Sequence, residues 1–138
     1  MAITFKPGRQ EKIVATVDYT FSDLTSGTAI AAIKLPKGAR VLNVTNKIGT
    51  AFNSATSDAL IIQSNESTPK AYITIAAGSG ALSAGLTSVA ATTNLGFKFT
   101  APQTVDVKWT GVGTAPTTGD GTLIVEYIID GRAAFAEG

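Results

Sequence analysis

Residues 33–64 read IKLPKGARVLNVTNKIGTAFNSATSDALIIQS, and this stretch decides the fold. Segment 40–48 alternates apolar and polar side chains, a period of two that predicts a half-buried β-strand. The Pro-Lys-Gly triplet at 36–38 predicts a turn, because proline sets one backbone angle and glycine tolerates positive φ. A polar loop and a short apolar run at 59–63 follow. The stretch therefore predicts two strands that flank a turn, then a loop and a third strand.

The same succession of short alternating segments and turns continues along the rest of the chain. It predicts strands at 11–21, 28–35, 40–48, 59–63, 71–75, 95–99, 105–109 and 121–129. Short strands at this spacing are typical of a sandwich or barrel, and no amphipathic helix of normal length interrupts them. We therefore expect an all-β, jelly-roll-like β-sandwich of about eight or nine short strands, which folds its edges into two Greek keys.

With 138 residues, the chain has the length of one domain. The expected division is an N-terminal arm at 1–10, the β-sandwich at 11–130 and a C-terminal tail at 131–138. Two interpretations of the arm compete, namely a frayed terminus and a flexible extended arm that reaches a neighbour. Residues 76–93 are expected to form a long excursion with at most one helical turn, because Gly85 opposes a stable helix.

Three local patterns make sharper predictions. Segment 121–129 is largely apolar on both faces, so it should be central in its sheet or covered by a partner. Asn46 falls on an apolar face, so it should be hydrogen-bonded or lie near the end of its strand. Trp109 shares a face with other apolar residues, so core packing is favoured over a sugar site lined by Trp109, Tyr72 and Tyr127.

The composition removes most catalytic chemistry. Cysteine and histidine are both absent, which excludes disulfides, thiol nucleophiles, imidazole bases and the commonest zinc ligands. The chain also lacks both glycine-rich phosphate-binding motifs. Residues 53–58 hold a single acid and make a poor calcium loop. We therefore expect a protein that is not an enzyme and that binds no cofactor and no metal.

Charge is sparse and nearly balanced, at 15% charged residues and a net charge of +1. Lys34, Lys37, Arg40 and Lys47 form a basic cluster in the sequence with no acid between them. A solvated strand edge and a contact with an acidic protein surface are both consistent with this cluster. A nucleic-acid site would carry more charge with interleaved aromatic residues, so no nucleic-acid partner is expected.

Membrane insertion and export are not expected either. No apolar run approaches the roughly 20 residues that span a bilayer. Residues 1–6 lack the apolar segment of a signal peptide, so we expect synthesis in a host cytoplasm without Sec-dependent export.

The block LPKGARVLNVTNKIGTAFNSATSDALIIQS, followed later by GDGTLIVEYIIDGR, resembles small structural proteins of tailed bacteriophages. The shared pattern is a Pro-Lys-Gly turn before an alternating strand, then Thr-Ala-Phe-Asn at 50–53. A closing strand then ends near Asp130 and Arg132. The chain is similar in these features to capsid decoration (cement) proteins and head-fibre proteins, over about half of its length.

The resemblance implies a jelly-roll homotrimer on the outer capsid surface of an expanded phage head. There it would bind the major capsid protein, bridge neighbouring capsomers and resist the pressure of the genome. The candidate capsid contacts are Ile3, Phe5 and Arg9 in the arm, with Lys37 and Arg40 as further candidates. Three alternatives stay open, namely a phage tail or baseplate protein, a carbohydrate-binding module, and a hydrolase that uses a pair of carboxylates.

Overall fold

The computed structural model describes residues 11–129. Its strands are β1 (Ile13–Thr20), β2 (Thr28–Leu35), β3 (Ala39–Thr50), β4 (Ser57–Ser64), β5 (Ala71–Gly78), β6 (Thr87–Val89), β7 (Gln103–Val112) and β8 (Asp120–Ile129). Two 3₁₀ turns, Phe21–Asp23 and Thr92–Asn94, lie between strands. Residues 1–10, where the arm is predicted, and 130–138, with the predicted tail, lie outside this range.

The strands form two antiparallel four-stranded sheets. Sheet 1 has the order β1-β8-β3-β6, and sheet 2 has the order β2-β7-β4-β5. The first strand thus pairs with the last, the second with the seventh, the third with the sixth, and the fourth with the fifth. This nested pairing is that of a long hairpin rolled into two layers, which is the jelly roll. The predicted jelly-roll sandwich is confirmed.

Alternating side chains build the core between the sheets. In β7, Val105, Val107 and Trp109 are all buried, so the preference for Trp109 as a core residue is confirmed. Strand β8 pairs with β1 on one side and β3 on the other, so it is central as predicted. Phe52, in the loop after β3, closes one end of the core and its ring centroid lies 5.9 Å from that of Trp109.

The turn at 36–38 forms as the sequence predicts. The amide of Ala39 donates to the carbonyl of Pro36 at 3.2 Å, and Gly38 takes a φ of 88°. The Gly38 amide also donates to the Phe99 carbonyl at 2.8 Å, which ties the turn to a distant segment. Asn46 is fully buried in the middle of β3 and accepts a 2.7 Å hydrogen bond from the Tyr19 hydroxyl. The prediction that Asn46 is hydrogen-bonded is therefore confirmed.

Two local predictions are wrong. Segment 95–99 is not a strand, since it follows a 3₁₀ turn and makes only one isolated bridge, between Lys98 and Arg40. Its side chains do not share a face, because Phe99 is buried while Phe97 is 51% exposed. The excursion predicted at 76–93 is shorter, because β5 continues to Gly78 and β6 adds three residues to sheet 1. Its one helical turn is the 3₁₀ turn Thr92–Asn94.

The sandwich has two distinct ends. At the terminal pole, β1 begins and β8 ends side by side, next to the turn 36–38, loop 65–70 and segment 90–102. At the opposite loop pole lie the connections 21–27, 51–56, 79–86 and 113–119. Within 11–129, no helix has the length and apolarity that a membrane crossing requires.

Candidate functional site

The carboxylates that a catalytic or metal site would need have structural roles. Asp58 is 1% exposed and accepts hydrogen bonds from the Trp109 indole (2.8 Å) and the Ser54 amide (3.2 Å). Asp120 accepts from the Thr50 amide at 3.0 Å, and Asp106 accepts from the Thr104 hydroxyl. In the part of the chain that the structure describes, no three acids come together as a metal site.

The aromatic residues of the sugar-site hypothesis do not form a platform. Trp109 and Tyr72 are 5% and 3% exposed, and both lie in the core. Burial, helped by the nearby Glu66 carboxylate, raises the pKa of Tyr72, as expected of a phenol removed from water. A sugar stacks on an exposed ring face, so these side chains do not provide the site that the hypothesis requires.

Folding instead separates the surface charges by sign. The terminal pole holds the cations Lys12, Lys34, Lys37, Arg40, Lys70 and Lys98, with the acids Glu11, Glu66 and Glu126. The loop pole and the strand ends beside it hold Asp18, Asp23 and Asp120 at the surface and Asp58 in the interior, with Lys47 as the cation. Within residues 11–129, one end of the sandwich is therefore basic and the other acidic.

Two of the acids at the terminal pole are neutralised locally. Lys12 Nζ lies 2.9 Å from Glu126 Oε1, and Asn43 donates to the other carboxylate oxygen. The Lys12 ammonium, and after it the Asn43 amide, hold the pKa of Glu126 below its usual range. Glu66 is paired with Lys70 at 3.0 Å. Two of the three acids at the terminal pole are therefore paired, whereas the described residues place six cations there.

Lys37 and Arg40 lie together at the terminal pole. Lys37 is exposed in the turn, and Arg40 follows three residues later as the second residue of β3. The Arg40 guanidinium donates to the Gly96 carbonyl at 2.9 Å, which attaches segment 90–102 to this end of sheet 1. Exposed Phe97 follows Gly96, with Lys70 Nζ 5.0 Å from its ring centroid. Basic and aromatic side chains are thus adjacent here.

The predicted basic cluster does not stay whole. Lys47 lies seven residues beyond Arg40 on the same strand, which places it roughly 23 Å away at about 3.3 Å per residue. Lys70 and Lys98 take its place at the terminal pole, although both are distant in sequence. From the sequence alone they were missed, for two reasons. Segment 95–99 resembles a strand, and residues that come together only after folding leave no pattern between neighbours along the chain.

The remaining predicted contacts, Ile3, Phe5 and Arg9, lie outside the described residues. The chain does enter the sandwich at the terminal pole, since Ile13 pairs with Tyr127 near the end of β8. Residue 11 therefore lies at the same end of the sandwich as Lys37 and Arg40.

Comparison with known proteins identifies the fold but no family. No family model matches the chain, and no curated protein matches it. A chain of the cyanophage Pam1 capsid asymmetric unit is similar, with 22% identity, a TM-score of 0.67, and coverage of 94% of this chain and 91% of that chain. A chain of the acid-stable capsid of Helicobacter pylori bacteriophage KHP30 matches with 16% identity, a TM-score of 0.62 and coverage of 86% and 92%. A chain of the Ralstonia phage GP4 capsid matches with 17% identity, a TM-score of 0.57 and coverage of 96% and 93%. At these identities the likeness shows a shared fold over nearly the whole length of each chain.

Proposed function

We propose that this protein is a structural component of a tailed-phage virion, and that it decorates and stabilises the head. It would bind the outer surface of the expanded capsid as a homotrimer, with the major capsid protein as its partner. The proposal is supported by the sequence resemblance to decoration and head-fibre proteins. The jelly roll shared with chains of three phage capsid structures also supports it.

The attachment model rests on the basic residues and the chain entry that lie together at the terminal pole. Exposed Lys37, the neighbouring Arg40 and the point where residue 11 enters the fold all lie at this end. In the proposal, Ile3 and Phe5 in the arm supply apolar anchors on the capsid. Arg9, Lys37 and Arg40 then pair with acidic groups of the major capsid protein.

Three copies acting together would make weak individual contacts sufficient. A surface ion pair contributes about 0–1 kcal/mol, so a single basic pole would attach weakly. A trimer contacts several capsid subunits at once. When one terminal pole has bound, the poles of the other two copies are held close to their own capsid contacts, so the trimer binds more tightly than a single copy. Such attachment would weaken as salt screens the ion pairs.

Co-sedimentation of the purified protein with expanded, undecorated heads tests the proposal. We expect saturable binding that weakens at high salt and after deletion of residues 1–10. Lys37→Glu should weaken binding, whereas Lys108→Glu makes the same charge change in the middle of the outward face of sheet 2, away from the terminal pole and from sheet 1, and should not. Equal binding by the two variants would contradict attachment through the terminal pole. No binding of the wild-type protein to heads would contradict the decoration role itself.

A further inference from the structure

The outward face of sheet 1, named here the sheet-1 wall, is unusually apolar at its centre. It consists of Val14, Thr16, Leu42, Thr45, Val89 and Ile124. Val14, Leu42 and Val89 are 57%, 39% and 60% exposed. Among residues 11–129, only Phe97 at the terminal pole and Val112 near the loop pole are comparable exposed large hydrophobics. The exposed aliphatic side chains are therefore concentrated on one wall.

The strand register brings these side chains together. Thr16, Ile124, Thr45 and Val89 form one row across β1, β8, β3 and β6. A β-bulge in β3 places Leu42 and Asn43 together opposite Glu126, so Leu42 joins the outward face. Most of these side chains are β-branched, so they have few rotamers to lose when a surface docks on them.

The opposite wall, on sheet 2, has a different chemistry. Lys108 and Asp106 lie at its centre, and its exposed side chains include the small residues Ala29, Ala31 and Thr74. Covering that wall would remove the half-buried Lys108 side chain from water, which is costly. On the sheet-1 wall, Glu126 lies between Val14 and Leu42, but its carboxylate is already paired with Lys12 and accepts a hydrogen bond from the Asn43 amide.

We propose that the sheet-1 wall is the surface through which copies of this chain associate, and that it packs against the β1–β2 side of the next copy. This inference rests on the homotrimer of the proposed function. If the terminal pole faces the capsid, the sheet faces are side walls that turn towards neighbouring copies. An aliphatic wall whose central acid is already paired suits another apolar surface better than it suits an acidic target of the basic pole.

The geometry of a closed trimeric ring restricts which sides of the neighbouring copy the wall can cover. A ring uses two different patches on each copy, and patches on opposite sides would extend a filament instead of closing. The partner patch must therefore be on a side adjacent to the sheet-1 wall. Two sides meet that requirement, namely the β1–β2 side and the β6–β5 side, because these four strands are the edges of the two sheets.

The β1–β2 side has the complementary shape. A groove of about 280 Å³ lies between the two edge strands. Its apolar lining is Val17, Leu24, Ile30, Ala31, Ala32 and Val107, and Asp18, Asp23 and Tyr19 also line it. Within the described chain, each edge strand pairs with one neighbour, β1 with β8 and β2 with β7. Edges of this kind are commonly covered in native proteins. An aliphatic side chain from the wall of the next copy would fill such a groove.

The available area favours the use of both patches. Three strands about eight residues long and the three-residue β6 present roughly 430 Å², from strand spacings of about 4.8 Å and rises of about 3.3 Å. A stable interface buries about 800 Å² per partner, which the wall alone does not reach. In a ring, each copy forms two interfaces, one through the wall and one through the groove side, so the area covered on each copy roughly doubles although each single interface stays small.

The first test is the mass of the full-length protein in solution, by light scattering behind a sizing column over a range of concentrations. Val14→Lys and Val89→Lys should dissociate the trimer, with about a tenfold or greater rise in its dissociation constant. Val112→Lys is the matched control, since Val112 is 49% exposed and lies off the wall. Circular dichroism verifies that each variant is folded.

A second measurement avoids disruptive substitutions. The chain has no cysteine, so Thr16→Cys on the wall and Thr74→Cys on sheet 2 each give a single labelling site. Maleimide should label Thr16→Cys at least about tenfold more slowly than Thr74→Cys in the trimer, and at a similar rate after dilution.

The outcomes separate this inference from the proposed function. A wild-type trimer that Val14→Lys and Val89→Lys leave intact, with equal labelling at both cysteine sites, overturns the wall interface while the homotrimer stands. A wild-type protein that is monomeric at every concentration overturns the homotrimer and the interface with it, but leaves capsid binding to be judged by co-sedimentation.

Discussion

The indole Nε1 of Trp109 donates a 2.8 Å hydrogen bond to Oδ1 of Asp58, and both residues are buried. The bond joins β7 to β4 by their side chains, in addition to the strand ladder between them. The second oxygen of Asp58 accepts from the Ser54 amide, which holds the loop after β3 against the core. A carboxylate that the sequence offers as a candidate for chemistry is therefore part of the framework of the loop pole.

Trp109→Phe should destabilise the protein by about 2–4 kcal/mol, because it leaves a cavity and deprives the buried Asp58 carboxyl of its donor. The free energy of unfolding in urea measures the loss. In an Asp58→Asn background, the same substitution should cost less, since the bond is already altered. Strictly additive losses in this double-mutant cycle would show that the bond contributes nothing.

Tyr19 and Asn46 should be energetically coupled in the same way. Tyr19→Phe removes the donor to the Asn46 carbonyl oxygen, and among residues 11–129 the Asn46 Nδ2 atom already has no hydrogen-bond partner. We expect the single change to cost about 1–3 kcal/mol. The double variant Tyr19→Phe with Asn46→Leu should recover part of this loss, because it removes both polar groups together. A double variant that is less stable than the sum of the single changes would contradict this account.

The stability of the fold at alkaline pH should depend on Tyr19. Burial, and to a smaller extent the Asp120 charge, raise the pKa of Tyr19 to about 12, above the ordinary value of 10.0. The folded protein then retains a proton that the unfolded chain loses, so this contribution is complete below pH 10 and is lost as pH rises through about 12. Across that window, wild type should lose roughly 2 kcal/mol more than Tyr19→Phe. Parallel pH profiles for the two proteins would contradict the assignment.

Gly119 should not tolerate a side chain. It has a φ of +145°, and a Cβ atom built there would lie 2.7 Å from Cγ of Phe52. Gly119→Ala should therefore cost about 2–4 kcal/mol in thermal or urea unfolding, from backbone strain and overpacking together. Gly80→Ala is the matched control, because Gly80 has a φ of +70° and open space around it. That control isolates the backbone strain, about 1–2 kcal/mol. Equal losses would show that contact with Phe52 is unimportant.

Asn53 should hold loop 113–119 in place. Its Oδ1 accepts from the amides of Thr117 (2.8 Å) and Thr118 (3.1 Å), and its Nδ2 donates to the Thr117 hydroxyl. Asn53→Ala should accelerate hydrogen exchange at these two amides with a loss of about 1–2 kcal/mol in global stability. Asn53→Asp keeps an oxygen for both amides and should retain most of the protection. Unchanged exchange in Asn53→Ala would show that other contacts order the loop.

The sequence predicted the strands well where the pattern is local. Segment 28–35 matches β2 at both ends, and predicted 121–129 differs from β8 by one residue. Segment 95–99 failed because Leu95, Phe97 and Phe99 imitate a period of two, while tertiary contacts from Arg40 and Gly38 hold that segment in an irregular path. Periodicity reports which residues would share a face if a strand formed, and it does not report whether a partner strand is available.

The candidate site was only partly predictable. Lys37 and Arg40 are three positions apart in the sequence, so the sequence alone predicts that they lie close together. Lys70, Phe97 and Lys98 join them only after folding, and Lys47 leaves them because a strand extends about 3.3 Å per residue. The sheet-1 wall had no signal of its own, since its residues come from four strands whose lateral order is decided by long-range pairing.

The sequence by itself determined the absence of thiol and imidazole chemistry, the turn at 36–38 and the alternation that makes the chain a β-sandwich. These properties depend on composition and on neighbours within a few residues. Only the tertiary structure decided that β1 pairs with β8, that the charges segregate to opposite poles and that the exposed aliphatic residues share one wall. The reason is that many pairings satisfy the same alternation, and the core selects among them by packing residues that are far apart along the chain.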